Sequence, residues 1–404
     1  SRAGPHFEPT ACSTPTGGIP VMVWPLLPLV VEGLLWPSLA AAAAFAALLC
    51  ACGCSPAAWL LGAAVTLLAA GLLCRARRAA LGPWTLPGGC CSREEYAERA
   101  KAAALAAKQP GPLRMFKGTT SNTFRPQQIA AREEAQNRLD LSGFVHVLEV
   151  NVEELWCDIE ASATFDTFVS ETLPLGVVPL VVPELRTITV GGAVVGIGME
   201  SGSFRYGFFH EGLLEADILL ASGEVITVGP KGEHAELFQA IPNTLGAFGY
   251  LLRLRLRVRR SQPFVCFEKV WCKSPEALIE GLGSACGQED LDFVDGVALG
   301  EHGGMVLTAK FVSNVPEGTA AKTYGFWPQF YPSLVHEGVE YLSTLDYLWR
   351  WDADWFWCTQ IFPGLTWFIV RWLCGPELLR SDIYKAFNDA VIKVTGPLGL
   401  NRDE

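Results

Sequence analysis

The stretch Thr189–Ser203 holds the residues whose types and spacing most clearly suggest chemistry. It places five Gly and two Ser in fifteen residues between apolar positions. Glycine lets the backbone approach a bound group closely, and backbone N–H groups can contact an anion without a basic side chain. A Rossmann site would need G-x-G-x-x-G, and the nearest match, Gly196–Gly202, is one residue too long. A NAD-type Rossmann domain is therefore disfavoured.

A second polar loop, Lys117–Thr123, combines a glycine with hydroxyl and amide side chains. It follows a short apolar strand predicted near Leu113–Phe116. Such a loop can direct several N–H and hydroxyl groups at one anion. An ordinary Gly/Ser/Thr turn has the same composition, so the loop alone leaves both interpretations open.

Four tryptophans recur at odd positions near the end of the chain, namely Trp349, Trp351, Trp355 and Trp357. On a strand they would share one face, and the opposite face would carry Arg350, Asp352 and Asp354. One interpretation is an aromatic wall for a flat apolar substrate, or contact with a bilayer interface. The other is a tryptophan-rich core beside a solvated charged face. The two aspartates are either an acid/base pair or, more commonly, surface carboxylates.

Hydrophobic periodicity predicts the elements that must position these residues. Ser92 reads as the N-cap of a helix that ends before Pro110. Helical spacing covers Leu155–Leu173. Tyr250–Val258 alternates Leu and Arg, which predicts a strand with one buried and one basic face. Further strands are predicted at Phe144–Val150, Asp217–Leu220, Val225–Val228, Phe264–Cys272 and Gly304–Val312, and a further helix at Pro275–Leu282.

Charge and composition exclude some classes of function. The formal net charge is −11 and the pI is near 5.2, which argues against nucleic-acid binding because that needs a basic footprint. None of the six His pairs at metal-ligand spacing, so no metal is predicted. The thirteen Cys lack paired C-x-x-C spacing and indicate reduced thiols.

The N-terminal part has the composition of a membrane anchor. No Lys, Arg, Asp or Glu occurs over the 42 residues Gly33–Cys74, and one membrane-spanning helix needs about 20 apolar residues. With a turn at Gly53–Pro56, the run predicts a transmembrane helical hairpin over about 34–74. The cluster Arg75, Arg77 and Arg78 places its end in the cytoplasm. The alternative is an Ala-rich transit or low-complexity segment.

Taken in order, these motifs resemble the flavin-binding module of the vanillyl-alcohol-oxidase and p-cresol-methylhydroxylase (PCMH) family of FAD-linked oxidoreductases. The resemblance covers roughly residues 110–390. Within that superfamily the sequence is most similar to the Δ24-sterol reductases. The motifs that carry the resemblance are Gly118–Thr123, Pro183-Glu-Leu185, Thr189-Val-Gly-Gly192, Gly198–Gly202 with its Gly-x-Glu200-Ser, Tyr206-Gly207, Ala221-Ser-Gly223 and Leu245–Gly249.

The resemblance implies FAD, and it implies noncovalent FAD because the loop Lys117–Thr123 lacks the His or Cys through which many relatives attach it. Thr189–Ser201 would be the main FAD-contacting segment and Thr119–Thr123 the pyrophosphate loop, with glycines placed where a Cβ would collide with the cofactor. The implied FAD-binding residues are Gly118, Thr119, Thr120, Ser121, Asn122, Thr123, Pro183, Glu184, Thr189, Val190, Gly191, Gly192, Gly196, Gly198, Met199, Glu200, Ser201, Gly202, Tyr206, Gly207, Gly246 and Gly249.

The implied fold class is α+β. It comprises an N-terminal segment 1–91 with the transmembrane hairpin, a two-subdomain PCMH-type FAD module at 92–260, and a mixed α/β cap domain at 261–404. The chain stops at Glu404, short of where the family's cap normally finishes, so the resemblance implies a C-terminally truncated cap.

The implied function is a membrane-anchored reductase that uses NADPH to reduce a C=C bond of a sterol-like substrate, in the endoplasmic reticulum membrane with its catalytic domain facing the cytosol. Tyr206 and His210 are weak candidates for the proton donor because they follow the flavin segment, and His210 is alternatively a turn or core histidine. Arg350–Cys358 departs from the His/Arg-rich stretch of eukaryotic members, which leaves the substrate open. The alternatives are an FAD-dependent oxidase or dehydrogenase of another alcohol or lactone, and a non-catalytic flavin-fold subunit with a membrane-complex partner.

Overall fold

The computed structural model describes residues 91–109, 114–117, 138–324, 329–354 and 380–381. Their mixture of helices and sheets agrees with the predicted α+β class. The helices are α1 (Arg93–Ala107), α2 (Phe165–Thr172), α3 (Val190–Val195), α4 (Ser203–Tyr206), α5 (Ala235–Ala240), α6 (Pro275–Cys286), α7 (Phe330–Ser333) and α8 (Thr344–Leu348). Single 3-10 turns occur at Leu173–Leu175, Phe209–Gly212 and Gly300–His302.

The strands form two larger sheets and one short parallel pair. They are β1 (Arg114–Phe116), β2 (Arg138–Asp140), β3 (Val147–Asn151), β4 (Trp156–Glu160), β5 (Val177–Pro179), β6 (Leu213–Leu219), β7 (Val225–Val228), β8 (Tyr250–Arg260), β9 (Phe264–Cys272), β10 (Phe293–Ala298), β11 (Gly304–Val312) and β12 (Gly338–Ser343). The first sheet has the order β3-β4-β8-β6-β7, with β5 also paired to β8, and the second has the order β10-β11-β9-β12. The predicted boundary at residue 260 falls between these two sheets.

Strand β8 is the centre of the first sheet, and its leucine face is buried as predicted. Leu254, Leu256 and Val258 enter the main hydrophobic core. Part of the basic face is buried too, whereas Arg257 is exposed. Arg253 is 5% exposed, and three carboxylates from the neighbouring strands neutralise it: that of Asp158 on β4 at 3.0 Å, that of Asp217 on β6 at 2.8 Å, and that of Glu215 on β6.

Helix α1 covers this charged face. It begins with a capping box in which the Ser92 hydroxyl accepts from the Glu95 N–H and the Glu95 carboxylate accepts from the Ser92 N–H, as the sequence predicted for its N-cap. The Tyr96 hydroxyl donates to Asp217 at 2.6 Å, and Arg99 pairs with the buried Glu160. The helix therefore closes the sheet with polar contacts, while its alanines pack against a small second core.

The single helical segment predicted over Leu155–Leu173 is wrong in its first part. Trp156–Glu160 form β4, which lies between β3 and β8, and only Phe165–Thr172 are helical. The Thr164 hydroxyl caps that helix by accepting from the Thr167 N–H. Pairing with both neighbouring strands satisfies the backbone of β4, and this tertiary contact outweighs the helical spacing of the apolar residues.

The second sheet is antiparallel and agrees with the predicted strands at Phe264–Cys272 and Gly304–Val312. Helix α6 packs against it, starting at Pro275 as predicted and continuing beyond Leu282 to Cys286. One continuous core contains residues of both sheets, such as Leu254 of β8 and Phe267 of β9. The two sheets therefore bury a shared apolar interior.

The predicted transmembrane hairpin at about 34–74 lies outside the described residues. Among the helices that the structure describes, none has the length and apolar character needed to cross a bilayer.

Candidate functional site

The glycine-rich segment begins with a short capped helix. The Thr189 hydroxyl accepts from the Gly192 N–H at 3.2 Å, which starts α3. Two backbone bonds hold this turn against the link between β4 and α2, from the Val190 N–H to the Ala163 carbonyl and from the Gly191 N–H to the Ala161 carbonyl, both at 2.8 Å. The first sheet thus fixes the position of the segment.

Glycines in this segment allow close approach of the protein's own backbone. A Cβ on Gly191 would lie 2.8 Å from the Ala161 carbonyl oxygen, and one on Gly202 would lie 2.6 Å from the Leu180 carbonyl oxygen. Cβ atoms do not tolerate such distances. Contact with neighbouring chain segments therefore explains these two glycines within the protein itself, and their role at the cofactor stays a prediction.

Strained backbone concentrates where the glycine-rich segment meets the loop before β8. Positive φ angles occur at Ile197 (55°), Asn243 (61°) and Leu245 (52°), and a branched residue such as Ile rarely adopts this conformation. The Leu245 N–H donates to the Val195 carbonyl at 3.2 Å, which joins the loop to the end of α3. Such strain persists only where the surrounding structure enforces it, and it clusters at functional sites.

The same junction exposes large apolar side chains and leaves polar atoms without partners. Met199 is 65% exposed, Leu245 64% and Phe248 54%. Within the described part of the chain, the buried Thr187 Oγ1 and His210 Nδ1 have no hydrogen-bond partner. Apolar side chains beside a few unsatisfied polar atoms are the usual lining of a cofactor site.

Several predicted FAD-binding residues lie at or near this junction. The structure places Thr189, Val190, Gly191, Gly192, Gly196, Gly198, Met199, Glu200, Ser201 and Gly202 in one continuous segment. Pro183 and Glu184 precede it, and Gly246 and Gly249 belong to the loop that contacts α3. The predicted pyrophosphate loop Gly118–Thr123 lies outside the described residues.

The two candidate proton donors follow this segment. Tyr206 ends α4, packs against the main core and lies with its ring centroid 5.2 Å from the Arg259 guanidinium. Its neighbour Gly207 has φ +71°. His210 stacks on Phe208 at 5.8 Å between ring centroids. Their catalytic roles stay predictions.

A cluster of buried charges lies where the end of the glycine-rich segment meets the second sheet. The Arg350 guanidinium donates to Glu200 Oε1 at 2.9 Å and lies 3.3 Å from Asp295 Oδ2. It also donates to the Tyr347 carbonyl at 3.0 Å, and its centre lies 4.3 Å from the Tyr347 ring. Arg350 is 2% exposed, so its guanidinium is shielded from water.

Burial raises the pKa of Glu200 to about 7, and the charge of Asp295 adds to this rise while Arg350 opposes it. Burial also raises the pKa of Glu184. Glu200 can therefore hold a proton near neutral pH, which is the property that acid/base chemistry requires.

The tryptophan segment does not form the strand that its alternation suggested. Helix α8 ends at Leu348, and the chain continues in turns through Asp354. Trp349 and Trp351 are 4% and 8% exposed, which agrees with the core interpretation, and their role as substrate residues stays a prediction. Trp355 and Trp357 lie outside the described residues.

The prediction of a solvated charged face beside these tryptophans is wrong. Asp352 is 2% exposed and Asp354 3% exposed. Asp352 accepts from the Arg186 N–H at 3.0 Å and from the Ser381 hydroxyl at 2.5 Å, and Asp354 accepts from the Tyr331 N–H at 2.7 Å. Both carboxylates serve local structure, because turns direct them into the protein instead of to one side of a strand.

One cluster with metal-ligand residue types was not predicted. Ligand atoms of Cys91, His146 and Glu160 lie within 4.8 Å of one another. Arg99 donates to Cys91 Sγ at 3.0 Å and to Glu160 Oε1 at 2.5 Å, and Glu160 Oε2 lies 2.8 Å from His146 Nδ1. The guanidinium supplies the positive charge that balances Glu160, so the cluster is a hydrogen-bond network around an arginine.

The contacts of Arg350 and Asp295 with Glu200 were not predicted from the sequence. Neither residue belongs to a recognisable motif, since Arg350 alternates with tryptophans and Asp295 lies in a short strand. Their partner Glu200 was identified through the motif Gly-x-Glu-Ser. The position of Arg350 between two tryptophans is the one signal that could have marked it as a buried partner.

Comparison with known proteins agrees with this geometry. Residues 92–229 match a protein family described as "FAD binding domain". The chain is 27% identical to a protein named Delta(24)-sterol reductase from Arabidopsis thaliana, over 59% of this chain and 47% of the relative. It is 26% identical to Delta(24)-sterol reductase homolog dhcr-24 from Caenorhabditis elegans, over 70% of this chain and 57% of the relative.

A shorter match is to Cytokinin dehydrogenase 3 from Arabidopsis thaliana, with 32% identity over 26% of this chain and 20% of the relative. The chain spans about half the length of the two sterol reductases that it matches. Residues 92–229 therefore match the FAD binding domain family, and the chain is similar over part of its length to proteins named Delta(24)-sterol reductase.

Proposed function

We propose that this chain is an FAD-dependent oxidoreductase that reduces an isolated C=C bond in a sterol-like substrate. One observation carries the proposal: the glycine-rich segment of the FAD binding domain is closed on one side by the second sheet. The Val294 N–H donates to the Ser201 carbonyl at 2.9 Å, and Arg350 pairs with Glu200. A flavin-binding segment shielded in this way suits chemistry that must exclude water.

The residues at the junction fit a noncovalent flavin nucleotide. The exposed side chains of Met199, Leu245 and Phe248 offer an apolar surface for its ring system. By resemblance, Thr189–Ser201 and the loop Gly118–Thr123 hold the remainder. When bound and reduced, the flavin supplies hydride, while the protein supplies orientation and electrostatics.

The substrate, the electron donor and the location are part of the same proposal. The names of the sterol reductase relatives support a sterol-like substrate and a C=C reduction. NADPH is proposed as the electron donor. The uncharged run Gly33–Cys74 followed by Arg75, Arg77 and Arg78 supports a membrane anchor with the remaining chain in the cytosol, and we propose the endoplasmic reticulum membrane.

The test uses the full chain purified in detergent and saturated with FAD. Under anaerobic conditions, NADPH should bleach the visible flavin bands, and a Δ24 sterol should restore them with formation of the saturated side chain. Bands that bleach with NADPH and ignore every sterol tested would contradict the substrate. Absence of bound flavin would leave the non-catalytic subunit as the better description.

A second candidate function is an FAD-dependent dehydrogenase or oxidase that removes hydride from its substrate. The match to Cytokinin dehydrogenase 3 over about a quarter of the chain favours it, because that relative is named a dehydrogenase. It predicts flavin that ignores NADPH, is bleached by an alcohol, amine or lactone, and is reoxidised by oxygen or a quinone. The same anaerobic titration separates the two candidates.

A further inference from the structure

Two carboxyl groups contact one guanidinium where the glycine-rich segment meets the second sheet, and a third interacts with it electrostatically. Glu200 comes from the glycine-rich segment, Asp295 from β10, and Glu184 from the segment before α3, and all three interact electrostatically with one another and with Arg350. Tyr347 also faces Glu200 and Arg350, and burial raises its pKa to about 12. The phenol is therefore neutral near pH 7, and Arg350 is the cation that these three carboxyls share.

The charge balance of this cluster requires a bound proton. Three ionised carboxylates around one guanidinium would leave two uncompensated negative charges in a shielded place, which is costly. Protonating one carboxyl removes part of this cost. Glu200 is the best holder, since its side chain is 13% exposed, against 23% for Asp295, and its pKa of about 7 is the value that burial and Asp295 produce.

Glu200 also belongs to the chain segment in which a proton donor is expected. It lies in the predicted FAD-contacting segment, one residue from Met199, whose apolar side chain is exposed at the proposed flavin surface. Its Oε2 accepts from the Ser201 N–H at 2.7 Å, and its Oε1 accepts from Arg350. Both contacts stabilise the carboxylate that remains after a proton has been given away.

We propose that Glu200 is the proton donor of the C=C reduction, with Arg350 and Asp295 as positioning residues that set its acidity. This inference rests on the proposed function. The electron pair of the alkene and the hydride from reduced flavin account for the two new C–H bonds: hydride adds to one alkene carbon, and the other takes the proton from the Glu200 carboxyl. Glu200 is left as a carboxylate beside Arg350, and solvent at the more exposed Asp295 returns the proton.

The first test measures stability and needs no substrate. Because the pKa of Glu200 is raised from 4.5 to about 7, the folded state binds more protons than the unfolded state in that interval. The free energy of unfolding that this group contributes therefore falls as pH rises from 4.5 to about 7. This decrease in the free energy of unfolding should be absent in E200Q. It should remain in D290N, which removes an exposed carboxylate paired with Lys310. An unchanged profile in E200Q would overturn the inference.

The second test separates the two half-reactions of the FAD-saturated full chain in detergent. E200Q should accept electrons from NADPH at the wild-type rate, and it should return them to a Δ24 sterol about 100-fold more slowly or worse, the usual contribution of a general acid. D295N removes a charge that raises the pKa of Glu200, so the pH at which sterol reduction declines should move down. R350Q removes the opposing charge and should move it up.

The outcomes distinguish the proton donor from the function itself. Wild-type flavin that no sterol reoxidises refutes the proposed function and, with it, this role of Glu200. If the wild type and E200Q reduce the sterol at equal rates, the role of Glu200 is overturned and the proposed function stands. If E200Q fails to hold FAD, D295N decides: an unmoved pH profile in that variant overturns the inference, and the downward shift supports it.

Discussion

Substituting Gly191 with alanine tests whether the glycine-rich segment is fixed by backbone contact with the first sheet. The new Cβ would lie 2.8 Å from the Ala161 carbonyl oxygen and 2.9 Å from the Ala161 Cβ. Ala161 directly follows β4, and its N–H donates to the Leu252 carbonyl of β8 at 2.9 Å. Neither neighbour is the flexible end of a side chain, so relief requires movement of α3 away from the sheet.

The expected loss follows from two opposing effects. Alanine in a helix gains about 0.5–1 kcal/mol over glycine, and overpacking a rigid site costs about 1–3 kcal/mol. Because both neighbours are held by the sheet, we expect the upper part of that cost and a net loss of about 1–2 kcal/mol in the free energy of unfolding.

Gly283 in α6 is the matched control. A Cβ there meets nothing within 4 Å, so G283A should gain about 0.5–1 kcal/mol. Urea unfolding at equal FAD saturation, followed by tryptophan fluorescence, measures both variants. If G191A and G283A agree within about 0.5 kcal/mol, the tight contact is absent and the reasoning fails.

Three further predictions concern buried groups. D158N should lower the free energy of unfolding by about 3–5 kcal/mol, since Asp158 is fully buried and pairs with Arg93, Arg253 and Arg255. Urea unfolding of D158N and of the control D290N measures this loss, and equal losses in the two variants would contradict the prediction. Burial opposes ionisation of Asp158, but Arg255 and Arg253 outweigh this effect and lower its pKa. The stability that Asp158 contributes above its ordinary pKa of 3.8 should therefore be lost as the pH falls below that value. In D158N the free energy of unfolding should depend less steeply on pH in the acid range. W349A should lower the free energy of unfolding by about 3–5 kcal/mol because Trp349 is in the core, and W349F should lower it much less. A W349A variant with normal stability and a raised KM would instead favour the aromatic wall for the substrate.

Local sequence patterns correctly predicted the elements whose structure depends mainly on their own residues. The Ser92 cap and the strands Phe264–Cys272 and Gly304–Val312 agree with the structure because capping and alternation are properties of the segment itself. The segment Leu155–Leu173 shows the limit. Trp156–Glu160 become a strand because β3 and β8 offer hydrogen bonds on both sides, and the sequence of the segment does not contain that information.

The candidate site divides in the same way. The motif Gly-x-Glu200-Ser identified Glu200, since it belongs to a continuous pattern, but Arg350 lies 150 residues away and becomes its partner only through folding. The alternation around Arg350 also suggested a solvated face that turns at Trp349–Asp354 abolish. Buried charge partners join segments distant in the chain, which is why periodicity could not predict them.

The most direct measurement is reoxidation of the reduced flavin by a Δ24 sterol. The FAD-loaded full chain, reduced with NADPH in the absence of oxygen, is mixed with the sterol while its visible spectrum is followed. We expect the oxidised flavin bands to return in step with formation of the saturated sterol side chain, one product for each flavin. Bands that remain bleached with every sterol tested would contradict a sterol C=C reductase, and flavin that NADPH fails to bleach would favour the dehydrogenase.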